Sequence, residues 1–185
     1  MSKSARGGSK SPPRTAFDDA CRSLARRRLT ETELRRRLSK RHSDGEIEEA
    51  LEKLREYRFI DDEALIADYT RDRLRLSPRS AELIEIELYR RGIEPEDFRR
   101  VFENKFSDYD EMEVARRALQ TKLKTLMKSS QQGRSQEESS RLRERALRFL
   151  HSRGFSYEVM KEVWERFGNS TDLSEEDNSN TNNAL

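Results

Sequence analysis

The sequence predicts an all-α protein made of three tandem three-helix repeats in an elongated array that is free to curve. Three observations carry this. Only seven of 185 residues are Gly and four are Pro, too few for a turn-rich β protein, while the helix-favouring Glu, Arg, Leu and Lys abound. Apolar residues recur three and four positions apart, as they do along one face of a helix. The pattern of helices itself recurs after about fifty residues, the signature of stacked supersecondary units. Hydrophobic residues make up 32% and charged residues 40%, which fits several thin cores better than one thick one.

The elements follow in order. Phe17, Cys21 and Leu24 make the first stripe, and Leu34 and Leu38 the second, opened by Thr30 with Glu33 in a capping-box pattern. Asp44 precedes a third helix carrying Ile47, Leu51 and Leu54, and Asp61 and Asp62 precede a fourth with Leu65 and Tyr69. Ile84 and Leu88 mark the fifth, with Pro78 at its first turn and Gly92 at its stop. Pro95 opens a sixth with Phe98, Val101 and Phe102. Ala115, Leu119, Leu123 and Leu126 form the seventh, and Ala146 and Leu150 the eighth, ended by Gly154. Ser156 starts the ninth, with Val159, Val163 and Phe167.

These nine group in threes. Leu34-x3-Leu38-x2-Arg41, Ile84-x3-Leu88-x2-Arg91-Gly92 and Ala146-x3-Leu150-x2-Arg153-Gly154 share one spacing, and thirteen residues after each central Leu stand Leu51, Val101 and Val163. The repeats are expected at 15–60, 61–107 and 108–168. The polar stretch Lys128–Ser140 reads as an internal loop, and 1–14 and 169–185 read as a disordered basic tail and a disordered acidic tail.

The net charge of +2 is a cancellation: +9 over 1–43, −10 over 44–113, +7 over 114–167 and −4 over 168–185. The densest cations are Arg26, Arg27, Arg28 with Arg35, Arg36, Arg37. A second set is Arg116, Arg117, Lys122, Lys124 and Lys128, and a third Arg141, Arg143, Arg145 and Arg148. Such arginines suit phosphates or the carboxylates of a partner protein, or else form a solvated face paired with acids such as Glu31 and Glu33. Asp61-Asp62-Glu63 reads as a helix cap, because no further acid or histidine completes a metal or acid/base site. His42 and His151 have no neighbours at ligand spacing, Cys21 sits in an apolar stripe, and Trp164 with Met160 and Phe167 reads as core. With no Gly-rich phosphate loop and no nucleophile elbow, the expectation is no enzyme, no catalytic residue, no cofactor and no metal. The chain has no apolar run of membrane-spanning length and no apolar segment after its first Met, so neither a membrane protein nor a secreted one is expected. A single Cys fits a reducing, cytoplasmic setting.

Three passages resemble the RecX family, bacterial regulators of the recombinase RecA. They are Arg58-Phe59-Ile60-Asp61-Asp62-Glu63 with Ala67-Asp68-Tyr69, then Glu87-Leu88-Tyr89-Arg90-Arg91-Gly92-Ile93, then Arg148-Phe149-Leu150-His151-Ser152-Arg153-Gly154-Phe155. Leu29 to Leu38 matches the family's first unit as well, and the likeness spans about 15–168. The resemblance implies a monomeric modular array that binds the groove of the RecA filament. It implies inhibition of RecA's ATPase, strand-exchange and coprotease activities, a place in DNA repair and the SOS response, and contact with single- or double-stranded DNA as in several members. The sequence departs from the family at Arg41-His42-Ser43, at Leu76-Ser77-Pro78 and in the acidic Glu82, Glu85, Glu87. The alternative is a direct DNA-binding helix-turn-helix module, since three-helix units also build such readers. The acidic starts of the third helices (Glu46, Glu48, Glu49; Glu96, Asp97; Glu158) count against a groove fit.

Overall fold

The computed structural model describes residues 14–127 and 136–168, and among these the chain is all-α. The helices are α1 (Ala16–Leu24), α2 (Glu31–Leu38), α3 (Asp44–Glu56), α4 (Asp62–Leu76), α5 (Ala81–Tyr89), α6 (Pro95–Lys105), α7 (Glu111–Met127), α8 (Gln136–Ser152) and α9 (Tyr157–Val163). A π-helical turn follows at Trp164–Gly168. Residues 1–13 of the basic tail, the acidic tail 169–185 and residues 128–135 of the expected loop lie outside the described residues. Gln136–Ser140, expected as loop, form the first turns of α8, where Glu137 and Glu138 meet the positive end of the helix.

Caps set most of the boundaries. Thr15 and Thr30 make capping boxes with Asp18 and Glu33. Glu46 accepts from both the N–H and the hydroxyl of Ser43, so Ser43 rather than Asp44 stands at the entrance of α3. Ser80 and Ser156 accept from the amides of Leu83 and Val159. Pro95 occupies the first turn of α6, but Pro78 does not do so in α5. It lies in the connection before Ser80, because the Ser80 hydroxyl takes the capping role.

Helix stops show a further device. At the end of α8 the Phe155 N–H reaches the Leu150 carbonyl (3.4 Å) and the Gly154 N–H the His151 carbonyl (3.0 Å), with Gly154 at φ +85°. This is a Schellman closure, and its left-handed residue is the expected glycine. α3 ends the same way, with Phe59 N–H to Leu54 O (2.8 Å) and Arg58 N–H to Arg55 O (3.0 Å), yet its left-handed residue is Arg58 at φ +54°. No glycine announces that turn in the sequence.

The described residues form two compact units, one running up to Leu65 and including Arg91–Ile93, the other made of Ile66–Arg90 and residues from Glu94 onward. The first unit packs Ala20, Leu29, Leu34, Leu38, Ile47, Leu51, Leu54 and Ile60 into one core. Its first helix is turned from the expected stripe. Ala16, Ala20 and Ser23 are the buried face, while Phe17, Cys21 and Leu24 are only half-buried at the core's edge. Small residues let α1 approach α3 closely, and the larger side chains then fit along the flank. The second unit has its main core between α7, α8 and α9, around Ala115, Leu119, Leu123, Ala146, Leu150, Phe155, Val163 and Trp164. Trp164 is buried as core, as its spacing suggested. The six positions Leu38, Leu88, Leu150, Leu51, Val101 and Val163 are all at most 2% exposed.

Candidate partner-binding surface

Two turns recur in similar form, and each fixes a basic segment against a helix N-terminus. In the first unit the Thr30 hydroxyl donates to the Arg91 carbonyl (2.6 Å), and the Thr32 hydroxyl to the Gly92 carbonyl (3.1 Å). The Arg91 guanidinium reaches Glu33 through Nε (3.3 Å) and Nη2 (3.0 Å), and also the Arg28 carbonyl (3.2 Å). Gly92 has φ +85°, and a Cβ there would collide with the Thr32 side chain. In the second unit the Ser80 N–H donates to the Arg153 carbonyl (3.0 Å), the Arg153 guanidinium donates to the Ser77 hydroxyl (2.6 Å), and a Cβ on Gly154 would meet Ser80 and Leu83. The arginine-glycine pairs thus do more than stop helices. They seat the chain against the capping residues Thr30 and Ser80.

Acids organise the surroundings. Burial works to raise the Glu33 carboxyl, but hydrogen bonds from Arg91 and the Thr30 amide, with the charges of Arg91 and Arg27, hold it below its usual range. The hydrogen bonds from Arg55 hold Glu31 low in the same way. Asp62 serves the neighbouring helix α2 rather than its own, accepting from the Glu31 N–H with both oxygens (3.2 Å), and its burial pushes its carboxyl up. Asp61 caps α4 through the Ala64 N–H (2.8 Å). In the second unit Glu87 accepts from the Tyr69 hydroxyl (2.8 Å) and Arg73 Nε (3.1 Å) and pairs with Arg79, while Glu85 pairs with Arg99 (2.7 Å). The acidic run on α5 is therefore largely neutralised, which its charge count did not reveal.

The predicted cations sort into two kinds. Arg26, Arg27 and Arg28 lie in the α1–α2 connection and not on a helix face, because α1 ends at Leu24. Arg27 is paired with Glu33 (3.3 Å) and Arg35 with Glu48 (2.6 Å), so both are held by this chain's own acids. Arg26, Arg36 and Arg37 are exposed and make no ion pair among the described residues. Arg36 and Arg37 continue into the exposed Lys40 and Arg41, at helical spacings that place the four on one side of α2 and its final turn. On α7, Arg116 is taken by Glu113 (2.7 Å) and Lys122 Nζ lies 5.1 Å from the Phe149 ring centre, while Lys124 is exposed and makes no ion pair among the described residues. Arg117 lies 3.8 Å from Glu113. On α8, Arg141 pairs with Glu137 (2.6 Å) and Arg148 with Glu144 (2.9 Å), leaving Arg143 and Arg145 exposed. Within these clusters and their continuation, the exposed cations that make no ion pair among the described residues are thus Arg26, Arg36, Arg37, Lys40, Arg41, Lys124, Arg143 and Arg145. Lys40 and Arg41 carry no sequence signal beyond following Arg37.

No group of three His, Cys, Asp or Glu side chains with metal-binding placement occurs among the described residues. His42 lies 3.2 Å from Asp19 and is nearly buried there. Burial pushes the Cys21 thiol up, away from the reactive thiolate. No described helix is long and apolar enough to cross a membrane.

The family model of the first three-helix domain of RecX matches residues 16–54, the span of α1 to α3. A regulatory protein RecX of Geobacillus thermodenitrificans is 35% identical over 148 residues, covering 78% of this chain and 51% of that protein. The chain is thus similar to RecX proteins over most of its length. A RecX of Geobacillus kaustophilus is 30% identical over 164 residues, covering 86% of this chain and 56% of that one. The chain therefore spans about half the length of these RecX relatives. A crystal structure of RecX from Lactobacillus salivarius shares the fold at a TM-score of 0.62, with 17% identity over 83% of this chain and 94% of that one.

Proposed function

We propose that this chain is a negative regulator of the bacterial recombinase RecA, binding in the groove of the RecA filament and inhibiting its ATPase, strand-exchange and coprotease activities. Its likeness to the RecX relatives, which are named regulatory proteins, carries this reading. The unpaired cations support it, since guanidinium groups without internal partners suit carboxylates or phosphates of a nucleoprotein filament. We place the main contact on Arg36, Arg37, Lys40 and Arg41, with Arg26, Lys124, Arg143 and Arg145 as further contacts. A three-repeat organisation at 15–60, 61–107 and 108–168 fits this role, because several modest contacts along one chain add up by avidity on a repetitive filament. The burial of the six repeat anchors and the similar seating of the two arginine-glycine turns support that division.

The test is a titration of the purified protein into RecA filaments on single-stranded DNA, following ATP hydrolysis. Suppression at sub-stoichiometric ratios is the expected result, and unchanged hydrolysis up to an excess over RecA overturns the reading. Binding to DNA alone, measured over a range of salt, separates the direct DNA-binding reading. That reading needs a steep salt slope together with one preferred sequence.

A further inference from the structure

The second unit contains a cavity of about 330 Å³ between the end of α4, the α6–α7 connection and the start of α7. This lies within the range of ligand-sized clefts, about 300–1,000 Å³. Its apolar lining is Leu74, Phe106, Tyr109 and Val114. That lining is held in place. The Phe106 ring lies 5.4 Å from Phe102 in a stacked arrangement, and the Tyr109 hydroxyl accepts from the Ala81 N–H at 3.1 Å.

The charges at the cavity divide clearly. Arg71 is taken by Asp68 (2.7 Å). Asp110 accepts from the amides of Met112 (2.9 Å) and Glu113 (3.3 Å), and Glu113 accepts two 2.7 Å bonds from Arg116. Arg75 is exposed and makes no ion pair among the described residues. Arg117 approaches Glu113 at 3.8 Å, an ion pair without a hydrogen bond, and its side chain is 39% exposed, so both guanidinium groups can take a further acceptor. The acids Asp108, Asp110 and Glu113 at the same cavity oppose a polyanion such as a nucleic-acid strand. One apolar group with one neighbouring carboxylate meets both the lining and the two cations.

We propose that this cavity is a docking pocket for a partner polypeptide that inserts one apolar side chain and sets an adjacent acidic residue against Arg75 and Arg117. The inference does not depend on RecA, because a free peptide can test it. The full-length protein, labelled with 15N, is titrated with acetyl-Gly-Ser-Phe-Asp-Gly-Ser-amide to about 5 mM, a range in which a single anchor is detectable. Saturable amide shifts are expected around Phe106, Tyr109, Val114 and Arg117. Affinity is expected to fall about fivefold or more when the peptide's Asp becomes Asn, its Phe becomes Gly, or Arg75→Gln is introduced. Arg75 is exposed, so that variant leaves the fold intact. Absence of saturable shifts overturns the proposal, as does equal binding of the Asn peptide. A thymidine oligonucleotide that produces the same shifts more tightly also overturns it, and assigns the pocket to nucleic acid.

Discussion

The turn at Arg91-Gly92 and the turn at Arg153-Gly154 have the same backbone shape but are held by different chemistry. Both glycines stand at φ +85°, and both have a side chain where a Cβ would go. The first is held by charge, since Arg91 and Glu33 are each about one-fifth exposed and 3.0 Å apart. The second has no carboxylate partner among the described residues. Arg153 donates to the neutral Ser77 hydroxyl and lies 4.9 Å from the Phe149 ring centre. One backbone solution therefore tolerates two side-chain solutions, and the two should respond differently to pH and to charge neutralisation.

The largest effect should come from the part they share. Gly92→Ala and Gly154→Ala each force a side chain into left-handed backbone and into a contact, at an expected cost of about 2–4 kcal/mol by urea unfolding. A cost near zero at either site would show that the turn there can move aside. The next effect should break the symmetry. Glu33→Gln removes a carboxylate that accepts from Arg91, Arg27 and the Thr30 amide, for an expected loss of about 1–3 kcal/mol at pH 7. No counterpart carboxylate stands beside Arg153 among the described residues, and Arg153→Met should cost less.

Acid sharpens the same contrast. The Glu33 and Glu31 carboxyls sit below their ordinary value of 4.5, so the stability they contribute is fully present above about pH 4.5. It is lost as pH falls through their lowered values. Asp62 runs the other way, because burial raises its carboxyl and protonation relieves that cost. Hydrogen exchange read separately for the two units should show protection around Thr30 falling on acidification before protection around Ser80, and Glu33→Gln should blunt that difference.

Smaller effects test other contrasts. Arg58→Gly puts the residue suited to left-handed backbone into the closure of α3, matching Gly154 in α8, and should stabilise by about 0.5–1 kcal/mol in thermal unfolding. Arg36→Glu with Arg37→Glu should change stability by less than about 0.5 kcal/mol, since neither makes an ion pair among the described residues, and should weaken RecA inhibition. Undiminished inhibition would remove this cluster from the contact.

Much of the architecture was legible because helix signals are local. The capping boxes, the apolar spacing and the two stop glycines each lie within a few residues, and the helices formed where those signals placed them. Legibility failed where the partner was remote in sequence. The expected stripe on α1 was the more hydrophobic one, but close approach to α3 selected Ala16, Ala20 and Ser23. Pro78 resembled a helix opener, yet the Ser80 hydroxyl made the better cap.

The candidate surface divides along the same line. The sequence by itself determined an all-α chain, its likeness to the RecX family, and three clusters of cations, because composition, spacing and motif order are properties of the chain. Only the tertiary structure decided which cations are available. Arg27 is taken by Glu33, six residues away, and Arg35 by Glu48, thirteen away. Glu87 collects Arg73 and Arg79 from outside its own helix. Charge is counted along the chain, but it is neutralised through space, so folding converts the fourteen predicted cations that lie among the described residues into a smaller and differently placed set.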